Sequence, residues 1–171
     1  MEENLLIGLD GLKAPGSHFD WHADGKFFGE FENSEILDAD LDTATEVTPS
    51  GSCYLIDCAV KGSVTVLCDR CLSEVVLPVE RLIRLSVRYG QGPSGMEEEG
   101  RELIFLPDAE SVLDLGQILY DYVCTALPLV RVHPDGGCDP DVVKFLGRSE
   151  EPAAEESQNP FASLKTLLDE K

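Results

Sequence analysis

The chain has 171 residues, 33 of them Asp or Glu against 13 Lys or Arg, for a formal net charge of -20. Hydrophobic residues at 43% supply enough apolar material for one packed domain, which excludes wholesale disorder. The sign of the charge excludes a protein that coats phosphate backbone or an anionic membrane over its whole surface, and leaves room for a local basic patch or a basic partner.

In chain order, Met1–Gly8 carries no basic stretch and only the short apolar run Leu5-Leu6-Ile7, so no secretory signal is expected. No later stretch approaches the roughly 20 apolar residues of a membrane span. A cytoplasmic protein without membrane association follows. Its six cysteines then read as thiols or metal ligands rather than disulfides. Phe19, Trp21, Phe27, Phe28 and Phe31 suggest two short strands joined across Ala23-Asp24-Gly25, where Asp-Gly is a hairpin signal. Residues 27–60 hold eight acids (Glu30, Glu32, Glu35, Asp38, Asp40, Asp42, Glu46, Asp57) and no Lys or Arg. Such a run reads as a solvated face or as a surface that docks a basic partner.

From Ser52 the pattern alternates. Tyr54, Ile56, Cys58, Val60, Val64 and Val66 share one face, with a bend or bulge expected at Gly62. Cys68-Asp69-Arg70-Cys71 makes a tight connection to a second long strand, whose Leu77, Val79, Ile83, Leu85, Val87 and Tyr89 share a face. Arg81 interrupts that face and is expected at a sheet edge or end. Residues 90–100, with Glu97-Glu98-Glu99, read as a mobile loop, and 101–106 as a third strand of an antiparallel sheet with one solvated face. The period then changes: Leu115, Ile118, Leu119, Tyr122, Val123, Ala126 and Leu127 form a helical stripe. Asp114 or Ser111 can cap that helix, and Pro128 ends it. Residues 149–159 read as a flexible acidic linker. Asn159-Pro160 signals a short helix or docking peptide over 160–171, with Phe161 and Leu164 on one face. The predicted fold class is α+β: an antiparallel sheet with a long hairpin, one main covering helix and a short C-terminal helix. Residues 1–148 are expected to form the single domain.

Chemistry concentrates at the cysteines. Cys68-x-x-Cys71 at a hairpin tip is a knuckle, two thiolates able to face one tetrahedral ion. His133 and Cys138, in the turn-rich loop after the helix, are the best further ligands for a structural zinc. Cys53, Cys58 and Cys124 read as small core or strand residues. The rival reading is a thiol-disulfide redox pair at Cys68 and Cys71, but that chemistry places the motif at a helix N-terminus, and strand pattern flanks it here. Phosphate-binding loops, H-E-x-x-H and G-x-S-x-G elbows do not occur, and no catalytic residue is assigned. His18 and His22 read as surface residues.

Cys68-Asp69-Arg70-Cys71-Leu72, Leu127-Pro128-Leu129-Val130, His133-Pro134 with Cys138, and Asn159-Pro160-Phe161-Ala162-Ser163-Leu164 resemble the YceD family, the bacterial large ribosomal RNA subunit accumulation proteins. The likeness runs from about Gly11 to Leu168. It implies an α+β non-enzyme that supports synthesis, processing or stability of large-subunit ribosomal RNA. The implied partners are that RNA, a basic ribosomal protein or both, with no small-molecule substrate. Two binding routes remain open. Either the acidic surface holds a basic ribosomal protein, or Arg70, Arg84, Arg88 and Arg131 touch RNA; Phe161 and Leu164 either dock back on the body or engage a partner.

Overall fold

The structure is a computed structural model, and the residues it describes are 5–10, 12, 16–32, 34–93, 95–107 and 111–146. The expected linker at 149–159 and the tail at 160–171, with Phe161 and Leu164, lie outside them. The elements in order are β1 (Leu6–Gly8), β2 (Ser17–Asp24), α1 (Gly25–Gly29), β3 (Asp38–Ser50), β4 (Cys53–Leu67), β5 (Glu74–Tyr89), β6 (Met96–Glu98), β7 (Arg101–Leu106), β8 (Val112–Asp114), α2 (Leu115–Ala126) and α3 (Pro140–Leu146). The fold is mixed α+β, as predicted. A six-stranded sheet runs β2-β3-β4-β5-β7-β6, and β1 with β8 forms a separate two-stranded ribbon.

The long hairpin is β4–β5, in continuous antiparallel register from Cys53↔Arg88 to Leu67↔Glu74. The period-two pattern delivers Ile56, Cys58, Val60, Val64 and Val66 from β4, and Val75, Val79, Ile83, Leu85 and Val87 from β5, to one buried face. Helix α2 covers that face with Leu115, Leu119 and Val123, all fully buried. Each such side chain contributes about 1.5–3 kcal/mol on burial. Of the two candidate caps Asp114 serves: its Oδ1 accepts from the amides of Gly116 at 2.9 Å and Gln117 at 3.3 Å. No helix of the described residues is long and apolar enough to cross a membrane.

Four expectations are corrected. Asp24-Gly25 does not turn a hairpin. Asp24 Oδ1 accepts from the amides of Lys26 and Phe27 and so starts α1, which drops Phe28 into the core. The partner of β2 is β3, a strand inside the acidic run, where Asp38, Asp40, Asp42 and Glu46 point outward while Ala39, Leu41, Thr43, Thr45 and Val47 are buried. The loop after β5 contains β6, which turns the chain so that β7 runs parallel to β5 rather than antiparallel. At Gly62 the register passes without an extra residue, Leu41↔Gly62↔Val79. The glycine serves close approach instead: its φ is +148°, and a Cβ there would stand 2.0 Å from the Asp40 carbonyl oxygen. Arg81 falls where expected, because β7 pairs only from Leu85 onward and leaves the first half of β5 as an edge among the described residues. Pro78, lacking an N–H, lies in that same edge segment.

Candidate metal centre

The β4–β5 tip is a knuckle closed by two backbone bonds, Cys68 N–H to the Ser73 carbonyl at 2.8 Å and Leu72 N–H to the Cys68 carbonyl at 2.9 Å. Tight closure puts Leu72 at φ 58°, left-handed backbone that a non-glycine residue adopts at a cost. Across from it lies the segment after α2. Asp69 N–H donates to the Arg131 carbonyl at 2.7 Å, and Arg131 N–H donates back to Asp69 Oδ2 at 2.6 Å. That reciprocal pair sets the loop carrying His133 and Cys138 against the knuckle. A Gly137 N–H to Pro134 carbonyl bond of 2.8 Å then folds Cys138 back.

The result brings the donor atoms of Cys68, Cys71, His133 and Cys138 within 4.8 Å of one another, as the sequence predicts. Cys68 Sγ and Cys138 Sγ are 3.9 Å apart, Cys71 Sγ and His133 Nδ1 3.4 Å, and Cys138 Sγ and His133 Nδ1 3.8 Å. A tetrahedral ion with bonds of about 2.3 Å to sulfur and 2.0–2.1 Å to nitrogen sets edges of about 3.8 and 3.6 Å. The donor set fits a metal ion on that measure. His133 Nε2 lies 2.9 Å from the Glu74 carbonyl, which can only accept, so the proton sits on Nε2 and the Nδ1 lone pair faces the sulfurs.

Electrostatics favour thiolate at the knuckle. Burial pushes the Cys68 thiol up, but the amides of Cys71, Arg70 and His133 facing its sulfur outweigh burial and bring it down to about 6. The amides of Ser73 and Asp139 lower Cys71. Burial, and then the neighbouring sulfurs, raise Cys138, while the bond to the Glu74 carbonyl raises His133. The sequence did not mark Asp69, Glu74 or Glu35, whose carboxylate pairs with Arg131, as supports. Their roles come from backbone atoms and a long-range pairing that no local spacing encodes.

The remaining cysteines do not join the cluster. Cys58 is fully buried under the sheet, and Cys53 donates to the Ser50 carbonyl at 3.0 Å. Three of the four predicted arginines lie beside carboxylates. Arg88 is paired with Glu98, Arg84 lies 3.8 Å from Asp57, and Arg131 bridges Glu35 and Asp69. Arg101, 2.8 Å from the same Asp57, is a further paired cation. Arg70 is exposed at the knuckle and makes no ion pair among the described residues. Phe161 and Leu164 lie outside the described residues.

A family model described as "Large ribosomal RNA subunit accumulation protein YceD" matches residues 56–168, more than half of the chain. The match starts within β4, later than the likeness seen in the sequence, and takes in all four residues of the cluster. No curated protein and no solved structure matches the chain.

Proposed function

The chain belongs to the YceD family, and from that membership we propose that it supports the accumulation of large-subunit ribosomal RNA in the cytoplasm as a non-enzymatic binding factor. The observation that carries this reading is the family match itself, which spans the knuckle, α2 and the loop completing the cluster. Between the two binding routes, charge favours a basic ribosomal protein as the direct partner. Arg84, Arg88 and Arg131 already face carboxylates, whereas Asp38 and Glu46 on β3 stand exposed with no ion pair among the described residues. Direct RNA contact through these arginines means breaking pairs that are each worth only about 0.2–1 kcal/mol, so Arg70, Arg84, Arg88 and Arg131 stay the residues of that route. Phe161 and Leu164 of the tail are partner contacts in either route.

Cys68, Cys71, His133 and Cys138 hold a structural zinc in this reading, tying the hairpin tip to the loop after α2. All four donors being protein atoms, the ion has no open position for substrate. The redox alternative shares the low Cys68 pKa, yet Cys68 is wholly buried, and exchange chemistry needs an accessible sulfur.

Loss of the gene is expected to lower large-subunit relative to small-subunit ribosomal RNA, with restoration by the intact chain; unchanged ratios remove the proposal. Capture from lysate with and without nuclease separates the routes. Basic ribosomal proteins retained after nuclease support the protein route, and a partner set lost with the RNA supports the arginine route.

A further inference from the structure

A groove of about 950 Å³, sharing no residue with the metal cluster, opens between the end of β2, α1 and the start of α2. Its apolar part is Leu5, Leu6 and three aromatic side chains. Trp21 lines it from β2, Phe27 from α1, and Phe31 packs flat on Tyr120 with centroids 4.0 Å apart. Its polar part is acidic: Asp20, Asp24, Glu30 and Asp114 against Lys26 and His22. The positive end of α2, which borders the groove, is already capped by Asp114, so the α2 amides offer little to an anion.

The geometry points to a docking groove for an extended Lys- or Arg-rich polypeptide segment. This deepens, and rests on, the reading that the chain acts by binding a basic protein. Aromatic faces accept guanidinium and ammonium groups by cation–π attraction, and the surrounding carboxylates take the remaining charge. Trp21 belongs to an edge strand: β2 pairs with β3 alone among the described residues, so its outer backbone groups can accept an added strand. Charge selects the occupant. A second copy also carries -20. Residues 149–171 bring Glu150, Glu151, Glu155, Glu156, Asp169 and Glu170 against Lys165 and Lys171, and would be repelled. Nucleic-acid phosphate would be repelled likewise.

Trp21 is the chain's single tryptophan, so its emission reports directly on the groove. The test titrates the full chain with a synthetic peptide of about a dozen residues alternating Arg and Thr, long enough at roughly 3.3 Å per residue to span β2. A saturable change in Trp21 emission is expected, and an alternating Glu-Thr peptide should give none. D20N/E30Q, both at exposed positions, should weaken binding about tenfold, while E97Q/E99Q, equal in charge, exposed and outside the groove, should weaken it less than about threefold. Melting curves confirm that both variants are folded. Four results overturn the inference: no binding of the Arg peptide, Arg peptide bound without a change at Trp21, equal weakening by both charge pairs, or a single-stranded RNA of similar length that displaces the peptide and itself perturbs Trp21. A failed titration alongside a persistent ribosomal RNA defect in the deletion strain removes the groove and leaves the family reading standing.

Discussion

At the residue scale the candidate centre turns on single atoms. Replacing Cys138 by Ser removes one donor and leaves His133 as the only metal donor from the loop after α2. The variant is expected to lose bound zinc, measured by elemental analysis, and about 3 kcal/mol of stability or more, on the order of 10 °C in Tm. Full metal retention would disprove the ligand assignment. Leu72 presents the opposite case. It is 72% exposed at φ 58°, so Leu72→Gly removes a backbone cost of roughly 1–2 kcal/mol and adds unfolded-chain entropy of about half that. A net gain of about 0.5–1 kcal/mol is expected in denaturant melts, and a loss would show that the leucine packs. His22 gives a pH-dependent prediction. Its hydrogen bond to Asp42, with the charges of Asp42, Asp40 and Asp24, raises its pKa above 6.5. The charged form is favoured by folding, so its contribution is complete below pH 6.5 and lost as pH rises through the raised value. His22→Ala should therefore cost stability at acidic pH and almost nothing in alkaline buffer. Because the pair is exposed, the acid-side cost stays below about 1 kcal/mol.

At the element scale, alternation was legible wherever both faces kept their character. β4, β5 and α2 read directly because Val, Ile and Leu recur at the right period, and the cysteine spacing then indicated where two distant segments meet. β3 escaped because three of its five inward residues, Ala39, Thr43 and Thr45, are too small or polar to stand out among the aspartates, leaving Leu41 and Val47 six positions apart. The parallel course of β7 depends on β6, three residues long, whose pairing with β7 no local pattern encodes. Gly62 carries a prediction at this level. A methyl group there would sit 2.0 Å from the Asp40 carbonyl oxygen, so Gly62→Ala forces β3 and β4 apart. A loss of about 2 kcal/mol or more is expected, and a variant as stable as wild type would mean that the ladder can yield.

At the scale of the whole molecule, the net charge of -20 divides into local environments. The arginines near the hairpin are largely neutralised in place, while Asp20 of β2, Glu30 after α1 and Asp38, Asp40, Asp42 and Glu46 of β3 stay outward. Self-repulsion follows, and about 0.5 M NaCl should raise Tm by screening it; a Tm that falls with salt would mean that the ion pairs outweigh the repulsion. The position of the four donors along the chain also gives the fold an order in time. Cys68 and Cys71 sit at the tip of a local hairpin, and His133 follows Cys71 by 62 residues. At synthesis rates of about 5–20 residues per second, the first pair precedes the rest by roughly 3–12 s. A nascent chain thus exposes two thiols that can capture an ion before α2 exists. With zinc bound as proposed, the later loop would complete the coordination shell and fasten the helix across a sheet that is already paired.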